Sequence, residues 1–257
     1  MSMQDLLFDK SGAKVTDITM QEMLNGRNGM VDERLPFTVR VVRSEEQLGK
    51  AVSIRHSAYA RHVPAVAALL SQAEILDRDS GSVVLLAESK LDGSPLGTMR
   101  IQTNRHRKLA LEQTVELPDW LKGKTLAEAT RLGVAEGRIG RVVKTTLFKA
   151  YYQYCLAKDI EWMVIAARSP LDRQYEALLF NDVFEAGEFI PMRHAGNIPH
   201  RVLAFDVATA QDRWTEANHP LLHYMCGIRH ADIDLAEKDI FLRQDESRSD
   251  NTSHVFA

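Results

Sequence analysis

The chain has 257 residues, of which 45% are hydrophobic and 26% charged, so it is long enough for one large domain with an ample core. Its formal net charge of −3 gives no general bias toward nucleic acid, and any anion site must therefore be a local basic cluster. The N-terminus lacks the basic-then-apolar order of a signal peptide and no apolar run is long enough for a membrane span, so we expect a cytoplasmic protein.

The first part of the chain predicts a lead-in, a strand and a helix. Residues 1–35 are typical of a helical or irregular segment, which ends at the glycine-rich stretch NGRNG. Residues 37–42 alternate apolar and charged side chains, which predicts a half-buried strand. The next segment begins with a capping-box pattern at Ser44 and predicts a helix with Arg55 and Tyr59 on one face.

Hairpin strands and a series of alternating helices and strands follow. An acidic loop precedes strands at 82–89 and 95–104, which an Asp-Gly turn joins. After residues 126–134 and a basic loop, the pattern predicts in chain order a helix at 143–159, a strand at 160–167, a helix at 171–184, a strand at 200–207 and a helix near 213–225. This order predicts a single α+β domain over 36–243, with a mobile polar tail at 244–257.

Four short motifs, in this order, resemble those of one group of acyl-transferring enzymes. They are Arg55 with Tyr59 on the first helix, Asp77-Arg78-Asp79 in the acidic loop, Arg100 in GTMRI, and Glu128 with Arg131 in LAEATRLGV. This set is similar to that of bacterial N-acyl amino acid synthases and the related acyl-homoserine-lactone synthases. The resemblance implies a GNAT-type N-acyltransferase fold, with a central, mixed, mostly antiparallel sheet flanked by helices.

The departures from the pattern indicate the branch of the family. The acidic pair Asp77 and Asp79 is spaced D-x-D, whereas D-x-x-D is commoner in lactone synthases, and the tryptophan that those enzymes use after the first helix has no convincing match. The stretch from Ser169 onward is closer to the N-acyl amino acid synthases. The resemblance therefore implies transfer of a fatty acyl group from an acyl-carrier-protein or acyl-CoA thioester to the amino group of an amino acid or similar amine, with no tightly bound cofactor.

Glu128 is the candidate general base, because a partly buried carboxylate with a pKa near neutral can take a proton from an amine. An ion pair with Arg131 or Arg100 is the structural alternative. Arg131, Arg55 and Arg100 could clamp an acceptor carboxylate or order the acidic loop, and Tyr59 belongs to the same expected substrate site.

The acidic loop and the basic loop have candidate binding roles as well. Asp77 and Asp79 could bind the acceptor amine, pair with the arginines, or serve only as turn residues, since DRDSG is good turn chemistry. In the loop AEGRIGRVVK, glycines allow close backbone approach and the next helix would direct N–H groups at a phosphate. The family places an acyl-donor phosphopantetheine there, and the candidate residues are Gly137, Arg138, Gly140, Arg141 and Lys144.

Three other functions stay open: a lactone-signal synthase that uses S-adenosylmethionine, an acetyl-CoA-dependent N-acetyltransferase, and a catalytically silent GNAT-like binding module. The nine histidines and the two cysteines, Cys155 and Cys226, show no metal-ligand spacing, and no G-x-S-x-G elbow supports an acyl-enzyme. One geometric question remains. On a regular strand Glu128 and Arg131 would point to opposite faces, so either the strand bulges and re-aims one of them or only one of them faces the reacting centre; we predict the bulge.

Overall fold

A computed structural model describes residues 30–236, nearly all of which belong to one compact unit that begins at Asp32. The predicted lead-in up to residue 29, the predicted tail 244–257 and the end of the predicted domain beyond residue 236 lie outside the described residues.

The strands of this part of the chain are β1 Val31–Glu33, β2 Phe37–Val41, β3 Ser82–Ser89, β4 Pro95–Thr103, β5 Leu126–Val134, β6 Trp162–Ala167, β7 Asn181–Asp182, β8 Ile190–Met192, β9 Ile198–Asp206, β10 Ile228–His230 and β11 Ile233–Asp234. Nine of them form one sheet in the order β11-β2-β3-β4-β5-β6-β9-β7, with β8 paired to β9. In this sheet the pairs β11–β2 and β5–β6 are parallel and the others antiparallel, which is the mixed, mostly antiparallel sheet that the resemblance implied.

Helices cover both faces of the sheet. Their bounds are α1 Glu45–Ala60, α2 Pro64–Leu69, α3 Gly137–Ala157, α4 Leu171–Ala177 and α5 Ala210–Glu216, with short 3₁₀ turns at Ile75–Arg78, Leu111–Gln113 and Arg193–Ala195 and a π-turn at His223–Gly227. Successive residues of β3 pack in different hydrophobic clusters, because their side chains point to opposite faces of the sheet. Leu85 packs in the cluster that contains Tyr151 of α3, whereas Leu86 packs in the cluster that contains Leu48 of α1.

The start of α1 follows its predicted capping chemistry. Ser44 is the N-cap, and its Oγ accepts a hydrogen bond from the Gln47 backbone N–H at 3.2 Å. The Gln47 side chain in turn accepts from the Arg43 backbone N–H at 2.7 Å. The first bond satisfies an N–H group that a helix start otherwise leaves free, and the second ties Gln47 to the residue before the N-cap. Together they fix the start of the helix that carries Arg55 and Tyr59.

Three predicted boundaries were wrong. Helix α3 begins at Gly137 rather than near Val143, so the predicted basic loop is mostly the first two turns of a helix. Helix α4 ends at Ala177, because Leu179 adopts a left-handed conformation with φ +70° and the chain then enters β7. The predicted C-terminal helix is divided into α5 and the π-turn, with Pro220 in the interval between them.

Strand β5 has two irregularities that create space beside it. Against β4, the register shifts so that Arg131 and Leu132 oppose Met99 alone, and Arg131 has φ +56°. This is the predicted β-bulge, which is confirmed. Against β6, the ladder runs only from Leu126 to Ala129, so the two parallel strands diverge after that point.

Candidate active site

Three arginines from three elements converge on one acidic turn. Arg55 of α1 donates to both oxygens of Asp77 at 2.9 Å, and Arg100 of β4 donates to Glu74 at 3.0 Å and to Asp77 at 3.2 Å. Arg131 makes a bidentate pair with Glu74, through Nε and Nη2, at 2.7 Å each. We call this group the arginine cluster: Arg55, Arg100, Arg131, Glu74 and Asp77.

The arginine cluster is nearly sealed from solvent. The side chains of Arg55 and Asp77 are 0% exposed, whereas that of Glu74 is 25% exposed. Burial alone would raise the pKa of Glu74. The hydrogen bond from Arg131 and the charges of all three arginines outweigh burial and lower this pKa from 4.5 to about 2. Since three guanidinium groups face two carboxylates, one positive charge is left uncompensated within the cluster.

Sequence reasoning missed Glu74, and of the two predicted aspartates only Asp77 meets the arginines among the described residues. Asp79 lies outside the arginine cluster, where it accepts from the surface residue Arg107 at 2.6 Å and from the Gly81 backbone N–H at 2.9 Å. The acidic pair that meets the arginines is Glu74 with Asp77, which are three residues apart. One signal was available, because this is capping-box spacing, and the reciprocal side-chain to backbone bonds of a capping box are present in the turn.

Glu128 is fully buried on β5, on the same face of the sheet as Arg100. Its Oε2 accepts from the Leu111 backbone N–H at 3.1 Å, and its Oε1 has no hydrogen-bond partner among the described residues. Burial raises the pKa of Glu128 to about 7, although the Leu111 N–H and the nearby charge of Arg100 oppose the rise. Within residues 30–236, neither Arg100 nor Arg131 forms a hydrogen bond with Glu128.

A histidine lies beside the free oxygen of Glu128. His194 belongs to the 3₁₀ turn Arg193–Ala195, and its Nε2 is 3.8 Å from Glu128 Oε1. Burial, with the positive charge of Arg131, lowers the pKa of His194 to about 4, so the ring is neutral at ordinary pH. The His194 backbone carbonyl accepts from Arg131 Nη2 at 3.2 Å, which ties this turn to the arginine cluster.

A cleft of about 450 Å³ opens where β5 and β6 diverge. Its walls come from α1, from residues 129–134 of β5, from the end of β6, and from α4. Tyr59 lines it, as do four cationic side chains, and no aspartate or glutamate contributes to the lining described for it. The four cations are Arg61, Arg131, Lys144 and Arg168.

The first turns of α3 lie at the same end of β5. Gly140 is required there, because a Cβ at this position would lie 1.7 Å from the Ala135 carbonyl oxygen. Gly137 has φ +78°, and Arg138 and Arg141 are exposed. Lys144 lines the cleft, where burial lowers its pKa and its ammonium donates to Gln174. Of the five predicted donor residues, Lys144 is thus in the lining described for the cleft, and the other four lie in the first turns of α3. Glu128 is buried along β5, and the arginine cluster reaches the cleft through Arg131.

Metal binding and membrane spanning can be assessed for the part of the chain that the structure describes. Over residues 30–236, no group of three or more His, Cys, Asp or Glu side chains is arranged to hold a metal ion. No helix in that range is both long and apolar enough to cross a membrane.

The chain is similar to known proteins in both sequence and fold. A family model described as N-acyl amino acid synthase FeeM matches residues 50–196. The structure of FeeM, an N-acyl amino acid synthase from uncultured soil microbes, superposes with a TM-score of 0.58 at 18% identity, covering 74% of this chain and 97% of that one. A CoA-dependent acyl-homoserine lactone synthase, BjaI, gives 0.54 at 15% identity, covering 79% and 94%. No curated protein sequence matches.

Proposed function

The chain belongs to the N-acyl amino acid synthase FeeM family and is an N-acyltransferase, and on this basis we propose its donor, acceptor and catalytic base. The donor is a fatty acyl thioester on the phosphopantetheine arm of an acyl carrier protein, or on coenzyme A. The acceptor is the amino group of an amino acid or a similar amine. Glu128 takes a proton from that amine, which then attacks the thioester directly.

The cleft beside β5 supports the thioester donor. Past Ala129, β5 makes no ladder with β6, so its backbone groups on that side are available to the amides of a pantetheine arm, as an added strand would be. The cationic lining suits an anionic ligand, and the N-terminus of α3 offers free N–H groups to a phosphate. Gly137, Arg138, Gly140, Arg141 and Lys144 are the residues proposed to bind that phosphate.

The state of Glu128 supports its role as the base, and this is the observation on which the proposal depends most. With a pKa of about 7, Glu128 is part ionised at neutral pH, and its Oε1 is free to accept a proton. The alternative of a structural ion pair is less favoured, because Arg100 and Arg131 are engaged by Glu74 instead. The neighbouring positive charge stabilises the ionised base and the oxyanion that forms during attack.

The burial of the arginine cluster revises the proposed roles of its members. Arg55 and Arg100 are 0% and 1% exposed, which supports ordering of the acidic turn rather than a direct clamp on an acceptor carboxylate. Glu74 keeps some exposed surface and an ionised carboxylate, so it is the better candidate to bind the acceptor ammonium. Tyr59, which lines the cleft, is proposed to contact the substrate.

A lactone synthase is the second candidate, and one observation favours it. The Glu74–Asp77 pair has the three-residue spacing of the D-x-x-D motif in lactone synthases, so the apparent D-x-D departure disappears. The similar fold of BjaI, whose structure holds SAM and isopentyl-CoA, makes S-adenosylmethionine the acceptor to test.

The experiment offers purified protein each donor with each acceptor. Acyl carrier protein and coenzyme A thioesters of several chain lengths are incubated with an amino acid mixture or with S-adenosylmethionine, and products are identified by mass spectrometry. We expect N-acyl amino acids from the wild type and at least 100-fold less from Glu128→Gln. Lactone products would replace the first candidate by the second, and full activity of Glu128→Gln would remove Glu128 as the base.

A further inference from the structure

The proposed reaction leaves one proton to be removed in every turnover. An ammonium acceptor loses two protons when it becomes an amide nitrogen, and the departing thiolate takes up one of them. Glu128, as the proposed base, holds the other at the end of the reaction. It must release this proton before the next cycle, and this requirement rests on the proposed function.

Glu128 cannot release the proton directly to solvent, because it is 0% exposed. The charged or titratable groups that act on it are few. Arg100 and Arg131 are guanidinium groups, which keep their protons at working pH. The Tyr151 hydroxyl donates to the Ala127 carbonyl, and burial holds its pKa well above the ordinary value. Of the described groups near the carboxyl, His194 has a ring nitrogen that can accept a proton from Glu128. This transfer is uphill, because the pKa of His194 is about 4 and that of Glu128 about 7, so the imidazolium is short-lived and gives up its proton readily.

The position of His194 suits such a transfer. Its Nε2 is 3.8 Å from the unpartnered Oε1, so a shift of less than 1 Å gives a hydrogen bond. Its side chain is 10% exposed, and the next residue, Ala195, lines the cleft. The ring therefore adjoins the sealed carboxyl and keeps a small exposed surface. Glu128, Arg131, Arg100, Glu74 and His200 are the charged or titratable groups that act on it.

We propose that His194 is a positioning residue that relays the proton of Glu128 to solvent. The O–H bond at Glu128 Oε1 breaks as an N–H bond forms at His194 Nε2, which makes an imidazolium and restores the carboxylate. The imidazolium then gives this proton from Nε2 to water, because Nδ1 is buried without a hydrogen-bond partner among the described residues. The charges of Arg131 and Arg100 disfavour the imidazolium and hasten this second step. His194 acts only through Glu128 and does not contact the acyl group.

Chemical rescue tests the relay. His194→Ala should lower kcat about 10- to 100-fold with little change in KM for the donor, and added imidazole should restore kcat in proportion to its concentration. Imidazole should not restore Glu128→Gln, and the exposed-residue control His223→Ala should behave as wild type. His194→Gln keeps the size of the side chain, and thermal unfolding checks that both variants fold. Unchanged kcat in His194→Ala, or a loss in the folded variants that imidazole does not restore, would overturn the proposal.

A second measurement needs no substrate and separates this proposal from the proposed function. The ring of His194 is titrated by ¹⁵N NMR in wild type and in Glu128→Gln. Because Glu128 ionises with a pKa of about 7 beside the neutral ring, the wild-type ¹⁵N shifts should show an inflection near pH 7 that is missing in Glu128→Gln; identical curves would show that the two groups are not in contact. If wild type acylates no amine, the proposed function fails, and the titration still decides whether the Glu128–His194 pair exists.

Discussion

Replacing Glu128 by Gln should stabilise the protein at neutral pH, although it removes the proposed base. Burial favours the protonated form of this carboxyl over the ionised form. Above the pKa of the unfolded chain, the unfolded carboxyl has lost its proton while the folded one keeps it, so the free energy of unfolding falls with each further pH unit up to the folded pKa. A Gln side chain keeps an oxygen for the Leu111 N–H and carries no charge to bury. The stability gained in Glu128→Gln thus has the same cause as the raised pKa that suits Glu128 to act as a base, namely the desolvation of its carboxylate.

The magnitude follows from the shift in pKa. The pKa rises from 4.5 in the unfolded chain to about 7 in the folded protein. At about 1.36 kcal/mol per unit, the ionisation of Glu128 costs about 3 kcal/mol of stability above pH 7. The sign is that of a raised pKa: stability is fully present below pH 4.5 and is lost as the pH rises through about 7. The difference in free energy of unfolding between Glu128→Gln and wild type should therefore grow over this window and then level off.

Urea unfolding of both proteins at intervals between pH 4 and pH 8 measures this difference. Glu161→Gln is a matched control of opposite sign, because the side-chain hydrogen bond from Lys124 lowers the pKa of the exposed Glu161. Its loss of stability should be present at neutral pH and disappear as the pH falls. A pH-independent difference between Glu128→Gln and wild type would refute the inference that Glu128 is desolvated.

Other variants test the remaining parts of the site. Glu74→Gln should lose about 3 kcal/mol or more of stability and most activity, because it leaves the buried guanidinium groups with one carboxylate. Asp79→Asn should keep wild-type turnover, since Asp79 lies outside the arginine cluster. Urea unfolding and steady-state assays check both variants. Lys144→Gln should raise KM for the thioester severalfold and leave kcat nearly unchanged, since it loses only a cleft cation. Gly140→Ala should lower the melting temperature by several degrees, because its Cβ would overlap the Ala135 carbonyl. In wild type, kcat/KM should rise with pH through about 7, as Glu128 ionises.

The family resemblance singled out the candidate residues that lie on regular elements. Arg55, Arg100, Glu128 and Arg131 occupy motif positions on a helix or strand, and strand periodicity showed that Glu128 and Arg131 could share a face only if the strand bulged. Glu74 was not found, because it lies 57 residues from Arg131 in the chain and its partners are set by how the acidic turn packs. The turn-forming sequence DRDSG drew attention to Asp79, which in the structure accepts a hydrogen bond from the Gly81 backbone N–H within that turn.

His194 could not have been singled out by any local pattern. It lies 63 residues after Arg131, in a turn whose sequence has no strong periodicity, and its relation to Glu128 depends on how β8 and β9 cross the sheet. The divergence of β5 from β6 is equally a property of the packed sheet, since both sequences read as ordinary apolar strands. The main helices and strands were predictable from the sequence pattern and the sheet type from the resemblance, but the cleft that they create was not.

The most direct test of the account is a product screen in a host that expresses the protein. Lipid extracts of cells with wild type and with Glu128→Gln are compared by mass spectrometry for acylated amines. We predict new N-acyl amino acids with the wild type, with a distribution of acyl chains drawn from the host's acyl carrier protein, and at least 100-fold less of them with Glu128→Gln. Extracts that are identical for both proteins, or that contain acyl-homoserine lactones instead, would contradict it.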